Sequence, residues 1–189
     1  MEPAPDAAAT ARLARELKVP VPFAALLVQR GHSDPEAASR FLRPRREDLH
    51  EPSSLPDIAV AVDRLSAAVR GGETVFVHGD YDADGQCAAA ILTRVLRHAG
   101  ARAEAFVPHR VRDGYDLSAA GVAAAAAAGA RVLVTLDCGT TALEAVRAAR
   151  AGGMDVVVVD HHLPGDEPPE ALALVNPRRP DSRYPVADL

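Results

Sequence analysis

The stretch Val75-Phe76-Val77-His78-Gly79-Asp80-Tyr81-Asp82-Ala83-Asp84-Gly85-Gln86-Cys87-Ala88 opens as an apolar strand, turns through a polar junction and runs into an apolar helix. One imidazole, His78, and three carboxylates, Asp80, Asp82 and Asp84, crowd that junction. Carboxylates this close repel one another and shift each other's pKa unless a cation or protons neutralise them. No lysine or arginine lies inside the motif, so a divalent metal is the simplest neutraliser.

Working outward, the pattern alternates: strand Thr74–His78, helix Gln86–His98, strand Ala103–Val107, helix Ser118–Ala128, strand Val132–Leu136, helix Thr141–Ala151 and strand Asp155–Val159. Short continuous apolar strands separated by helices predict an α/β fold, a parallel sheet with helices on both faces. The alanines at 123–128 favour helix, Thr141-x-x-Glu144 matches a capping box, and Gly152-Gly153 ends that helix. Upstream, a helix is expected over Pro35–Leu42, capped by Ser33 or Asp34 and broken by Arg43-Pro44-Arg45-Arg46. Another over Ile58–Val69 carries apolar residues at three- and four-residue spacing, with Asp57 as its cap and Gly71-Gly72 at its end. The expected organisation is a small helical segment, 1–56, followed by the α/β domain, 57–189.

With 189 residues and 48% hydrophobic composition the chain can bury a sizeable core. A formal net charge of −5 argues against indiscriminate attraction of nucleic acid, which needs a basic stripe; any polyanion has to be gripped locally. The first eighteen residues, broken by prolines and acids, match neither a signal peptide nor a membrane span, and Val21–Val28 is too short to cross a bilayer. Two cysteines, Cys87 and Cys138, fit a reducing compartment. The reading is a cytoplasmic protein with no membrane partner.

An open α/β sheet binds ligands along the carboxyl edge of its strands. The first strand delivers His78, Asp80, Asp82 and Asp84 there, the third delivers Asp137, and the fourth delivers Asp160, His161 and His162. Mixed carboxylate and imidazole donors without a thiolate cluster suit Mn²⁺ or Mg²⁺ better than a structural zinc, and imidazole tilts the choice to Mn²⁺. The donors outnumber what one ion uses, so two ions sharing a carboxylate, roughly 3.5–4 Å apart, are expected, and with them hydrolysis at phosphorus. The helix beginning near Gln86 adds its positive end. Asp80 is the weakest member, an orienting residue rather than a ligand.

Cys87 and Cys138 read as small buried thiols rather than soft ligands, and His32, His50 and His98 as surface or capping residues. Arg40, Arg43, Arg45 and Arg46 form one basic cluster, a solvated face. His109, Arg110 and Arg112 form another just after the second strand, where Arg110 can hold a substrate phosphate and Tyr115 can stack on a base.

Taken together, H-G-D-Y-D-A-D-G, D-C-G-T-T-A and D-H-H resemble the DHH phosphoesterase superfamily. The stretch from Phe41-Leu42-Arg43-Pro44 through the first motif is similar, more narrowly, to its RecJ family of single-strand-specific 5′→3′ DNA exonucleases. This resemblance implies His78, Asp82, Asp84, Asp137 and His161 as Mn²⁺ ligands, with Asp137 bridging and His162 on the scissile phosphate. It implies Asp80 and Asp160 as supporting catalytic residues, and a substrate loop at Pro108–Ser118 containing Arg110 and Tyr115. Cys87 stands where the family commonly has a small hydroxyl residue, and Asp116 where its Gly-Tyr-Gly loop has glycine, a change expected to alter loop shape or add negative charge. The family carries a further aspartate ligand, a second core domain and an OB fold beyond the DHH motif. The chain therefore looks like the amino-terminal part of a longer nuclease, expected to bind Mn²⁺ weakly and to hydrolyse DNA poorly alone.

The implied activity is release of 5′ mononucleotides from single-stranded DNA in repair and recombination, with a helicase or single-strand-binding protein as partner. Alternatives are a phosphodiesterase of short oligonucleotides or cyclic dinucleotides, a family II-type pyrophosphatase, and a non-catalytic RecJ-like scaffold. The Phe41–Pro56 segment favours the exonuclease over the first, the Asp-Tyr-Asp-Ala-Asp spacing and the basic loop disfavour the second, and the intact motifs disfavour the third.

Overall fold

A computed structural model describes residues 4–186. Two compact units divide between His50 and Glu51. The first holds α1 (Ala7–Leu17), α2 (Val21–Gln29) and α3 (Pro35–Leu42), closed around Leu13, Ala24, Leu27 and Ala38. Asp34 rather than Ser33 caps α3, accepting from the Ala37 N–H, with Pro35 in the first turn. Pro44 follows and forces the residue before it out of helical geometry. The limits of α2 escape periodicity because its Val-Pro-Phe-Ala-Ala-Leu-Leu-Val run is apolar all round.

In the second unit a short turn, Pro52–Ser54, leads to α4 (Ile58–Gly71), β1 (Thr74–Gly79), α5 (Ala83–His98), β2 (Arg102–Phe106) and α6 (Ala119–Ala127). Then come β3 (Val132–Leu136), α7 (Leu143–Ala151), β4 (Asp155–Val159) and β5 (Ala173–Val175). All five strands run parallel in the order β2-β1-β3-β4-β5. Alternate residues face opposite sides. Val75, Val77, Val134, Val157 and Val175 pack beneath Ala61 and Ala68 of α4 and Ala89 and Leu96 of α5. Phe76, Leu133, Val156, Val158 and Leu174 pack beneath Ala125 of α6 and Val146 and Ala149 of α7. Each fully buried valine contributes roughly 1.5–3 kcal/mol, so burial on both faces, rather than strand propensity, fixes the sheet.

The register aligns Gly79 with Leu136, Leu136 with Val159, and Val159 with Val175. One step beyond, the Asp80 N–H donates to Leu136 O (3.1 Å), Asp137 N–H to Val159 O (2.9 Å) and Asp160 N–H to Val175 O (3.0 Å). Asp80, Asp137, Asp160 and Asn176 therefore follow one another across the carboxyl edge.

Three local expectations are corrected, and one strand is added. Helix α5 starts at Ala83, not Gln86, because Asp82 is its cap and accepts from the Gly85 N–H at 3.1 Å. The Thr141–Glu144 capping box does not form. The Thr141 hydroxyl donates instead to Asp116 Oδ2 at 3.1 Å, and α7 begins at Leu143. Asp57 does not cap α4; it sits at φ 54°, and its carboxylate accepts from the Leu174 N–H and the Arg179 guanidinium. Strand β5 is new, since three residues are too few for a period to show. Among the described residues no helix is long and apolar enough to cross a membrane.

Helix α5 approaches the end of β1 so closely that a Cβ on Gly85 would fall within 2.5–2.7 Å of the Asp80 backbone. Gly85→Ala is expected to destabilise the fold by about 1–3 kcal/mol, read as a lower urea midpoint with an unchanged slope; an unchanged midpoint would show that the approach is loose.

Candidate metal centre

Each acidic group at the edge is placed by backbone that has few alternatives. Asp82 is fixed as the cap of α5, and Asp80, Asp137 and Asp160 by the ladder bonds just described. Asp137 takes a left-handed backbone, φ 62°, a conformation aspartate tolerates better than most residues. The result is two overlapping clusters: Asp80, Asp82 and Asp137 bring one ligand atom each to within 4.8 Å of one another, and so do Asp137, His161 and His162. Asp137 belongs to both. His161 Nε2 lies 2.9 Å from Asp137 Oδ1 and 3.9 Å from Asp84 Oδ2.

The electrostatics of this arrangement call for positive charge. Burial, reinforced by Asp84 and Asp82, raises the Asp137 carboxyl to about 6. Burial likewise raises Asp80. Asp82 goes the other way, held below the usual range by its hydrogen bond with Asp84 and by the Gly85 N–H. Asp137 Oδ2 and Asp80 Oδ1 are buried without a hydrogen-bond partner, and an orphaned carboxylate oxygen among carboxylates costs several kcal/mol unless a cation meets it. Oxygen donors plus imidazole, with no thiolate beside them, fit a hard or borderline divalent ion such as Mn²⁺ or Mg²⁺.

His162 lies on the flank of the clusters, held at both ring nitrogens. Burial works against the Asp160 charge, but hydrogen bonds from Thr140 and His162 outweigh it and keep the carboxyl below its ordinary value. Ionised Asp160 accepts from His162 Nδ1 at 2.7 Å, which leaves Nε2 as an acceptor. Tyr115 Oη is 3.1 Å from that Nε2, and burial raises the phenol pKa, so the hydroxyl is the donor. Tyr115 thus meets the site through its hydroxyl, with its half-exposed ring edge-on to Tyr81.

Arg110 stands 5.0 Å over the Tyr81 ring. Its neighbour Arg112 is spent on Asp113, and His109 Nδ1 accepts from backbone within its own turn. His78 stands apart from both clusters. Its imidazole is fully buried, which lowers its pKa to about 4. Its Nδ1 lies 3.7 Å from Cys138 Sγ, and its Nε2 lies without a partner where a Cβ on Gly121 would collide with it. Cys138 is buried as expected, whereas Cys87 is exposed.

One residue at this edge escapes the sequence, and a second, Asp116, is seen there only as a departure from a glycine turn, without its contact. Asn176, fully buried after β5, donates through Nδ2 to Thr140 Oγ1 and to the His162 carbonyl, both at 2.9 Å. Its only signal is the Asn176-Pro177 turn dipeptide. Asp116, at φ 70°, takes the left-handed backbone that a glycine would, so its side chain does not reshape the turn. Its carboxylate reaches instead to the Gly139 N–H (2.7 Å).

The model of the DHH family, N-terminal domain, matches residues 74–186. The single-stranded-DNA-specific exonuclease RecJ of Bacillus subtilis is 31% identical over 185 residues, 98% of this chain and 24% of the relative. RecJ of Escherichia coli is 40% identical over 136 residues, 71% of this chain and 24% of the relative. The crystal structure of RecJ from Thermus thermophilus in complex with Mn²⁺ is 31% identical, covers 96% of this chain and 25% of that one, and superposes with a TM-score of 0.68. The chain spans about a quarter of the length of the curated relatives it matches.

The raised Asp137 carboxyl has a consequence for stability without metal. From about pH 4 to about pH 6 the folded chain keeps a proton there that the unfolded chain releases. The contribution of Asp137 is thus fully present below about pH 4 and lost as pH rises through 6. His78, lowered to about 4, acts in the opposite sense, so the comparison has to be with Asp137→Asn. In chelator, the stability of the chain relative to this variant is expected to fall between pH 4 and pH 7; a constant or rising difference would contradict the assignment.

Proposed function

The chain belongs to the DHH family, and on that premise we propose that it forms the metal-binding part of a phosphodiesterase that releases 5′ mononucleotides from single-stranded DNA in repair and recombination. The observation that carries this reading is the convergence of two donor clusters on Asp137, whose buried Oδ2 lacks a partner. Similarity to RecJ, a single-stranded-DNA-specific exonuclease, along nearly the whole chain supports the substrate, and the 5′→3′ direction belongs to the proposal. Cytoplasmic location and a helicase or single-strand-binding partner belong to the same proposal.

Asp82, Asp84, Asp137 and His161 would hold Mn²⁺, or Mg²⁺ in its place, with Asp137 shared between two ions and His78, set apart from both clusters, outside the ligand set. Bound there, such ions supply a water of lowered pKa and Lewis-acid polarisation of phosphoryl oxygens. The rest falls to the chain. Asp160 fixes the Nδ1 proton of His162, so that Nε2 faces the scissile phosphate. The positive end of α5 lies at the same edge, and Arg110, poised on Tyr81, offers a guanidinium to the backbone phosphate.

Asp137→Asn keeps the left-handed backbone while removing the shared charge. It is expected to cut Mn²⁺ affinity and nuclease activity by more than about a hundredfold, read by electron paramagnetic resonance of free Mn²⁺ and by mononucleotide release from a long 5′-labelled strand. Chelation should abolish release from the parent chain. Preferential cleavage of dinucleotides or cyclic dinucleotides would favour the short-substrate alternative, and activity indifferent to both chelator and Asp137→Asn would overturn the proposal.

Tyr115→Phe leaves the ring but removes the donor to His162. Activity is expected to fall by about tenfold. Unchanged activity would show the contact to be incidental.

A further inference from the structure

We infer that Asp116 is a positioning residue that ties the substrate-side turn, 114–117, to the metal-side loop, 137–141, and so holds the Asp137 carboxylate and the Tyr115 hydroxyl in register. This rests on the metal reading proposed above and extends it to a residue in neither cluster. Asp116 Oδ1 accepts from the Gly139 N–H at 2.7 Å and from the Leu117 N–H at 2.8 Å, and Oδ2 accepts from the Thr141 hydroxyl at 3.1 Å. With both oxygens taken up by these donors, the carboxylate serves as a tether rather than a ligand.

The loop it holds needs holding. Asp137 and Gly139 both lie at positive φ, 62° and 106°, and a Cβ on Gly139 would strike Thr135 Oγ1. Gly139 takes its φ freely, but Asp137, a non-glycine residue in the left-handed region, is held there by its surroundings. The restraints alternate along the loop: Gly139 is held by Asp116, Thr140 by Asp160 Oδ2 at 3.0 Å, and Thr141 by Asp116 again. Asp160 also orients His162. The two carboxylates therefore grip the loop from opposite sides, each tied to one member of the Tyr115–His162 pair, Asp116 as its chain neighbour and Asp160 through its hydrogen bond. A glycine at position 116 would satisfy the backbone equally but leave the Gly139 N–H without this acceptor.

The test uses Asp116→Gly, which keeps the left-handed turn free of strain, and Asp116→Asn, which keeps an Oδ1 acceptor. Amide hydrogen exchange at Gly139 reads the tether directly, and Mn²⁺ affinity reads its effect on Asp137. In Asp116→Gly, Gly139 is expected to exchange about tenfold faster and Mn²⁺ to bind about tenfold more weakly, the worth of one charge-assisted hydrogen bond. Asp116→Asn should stay within about threefold of the parent chain in both. Unchanged Gly139 exchange in Asp116→Gly, unchanged Mn²⁺ affinity in that variant, or an equal loss in Asp116→Asn would each overturn the inference. A parent chain that takes up no Mn²⁺ would defeat the metal reading instead, with the tether still decided by exchange at Gly139.

Discussion

The parallel register of β1, β3, β4 and β5 governs the chemistry of this chain, because it decides which residues leave the sheet side by side. Gly79, Leu136, Val159 and Val175 align, so the next residue of each strand, Asp80, Asp137, Asp160 and Asn176, reaches the carboxyl edge in one row. A slip of one residue in any pairing would move that strand's valines to the wrong face, and with them its contribution to the row. The apolar layers that exclude water from both faces thereby set the spacing of the polar groups at the edge. Core and site are two consequences of one alignment.

That alignment concentrates negative charge where burial makes it costly. Asp137 and Asp80 are both pushed towards protonation, and each has a buried oxygen with no partner. The surrounding structure keeps the arrangement by spending other polar groups on it: ladder bonds on the aspartate N–H groups, the cap of α5 on Asp82, Asn176 on Thr140, and the Asp116 and Asp160 carboxylates on the loop after β3. A site assembled against its own repulsion in this way is preorganised for cations.

Much of this was legible from residue order. Apolar runs gave the limits of β3 and β4, a capping acid before Pro35 and the proline-containing stop after Leu42 gave those of α3, and the rule that ligands gather at the carboxyl ends of strands joined three distant motifs into one edge. What the sequence hid was competition for side chains. Thr141 and Asp57 carry the right chemistry for helix caps, but Asp116 and the pair Leu174 and Arg179 recruit them across the fold. Asp116 itself reads as a disturbance of a glycine turn until the Gly139 N–H appears beside it. Tyr115 reads as a base-stacking ring until its hydroxyl is found on His162. Such contacts are long-range, and no local pattern encodes them.

Anomalous diffraction from crystals of this chain soaked in Mn²⁺ decides whether Asp137 is the shared anchor of a cation site built from three strand ends. Manganese peaks are expected at the carboxyl edge with the Asp137 carboxylate common to them, and Asp82, Asp84 and His161 among the other donors. Manganese bound elsewhere, with the Asp137 carboxylate in contact with no ion at saturating Mn²⁺, would contradict that role.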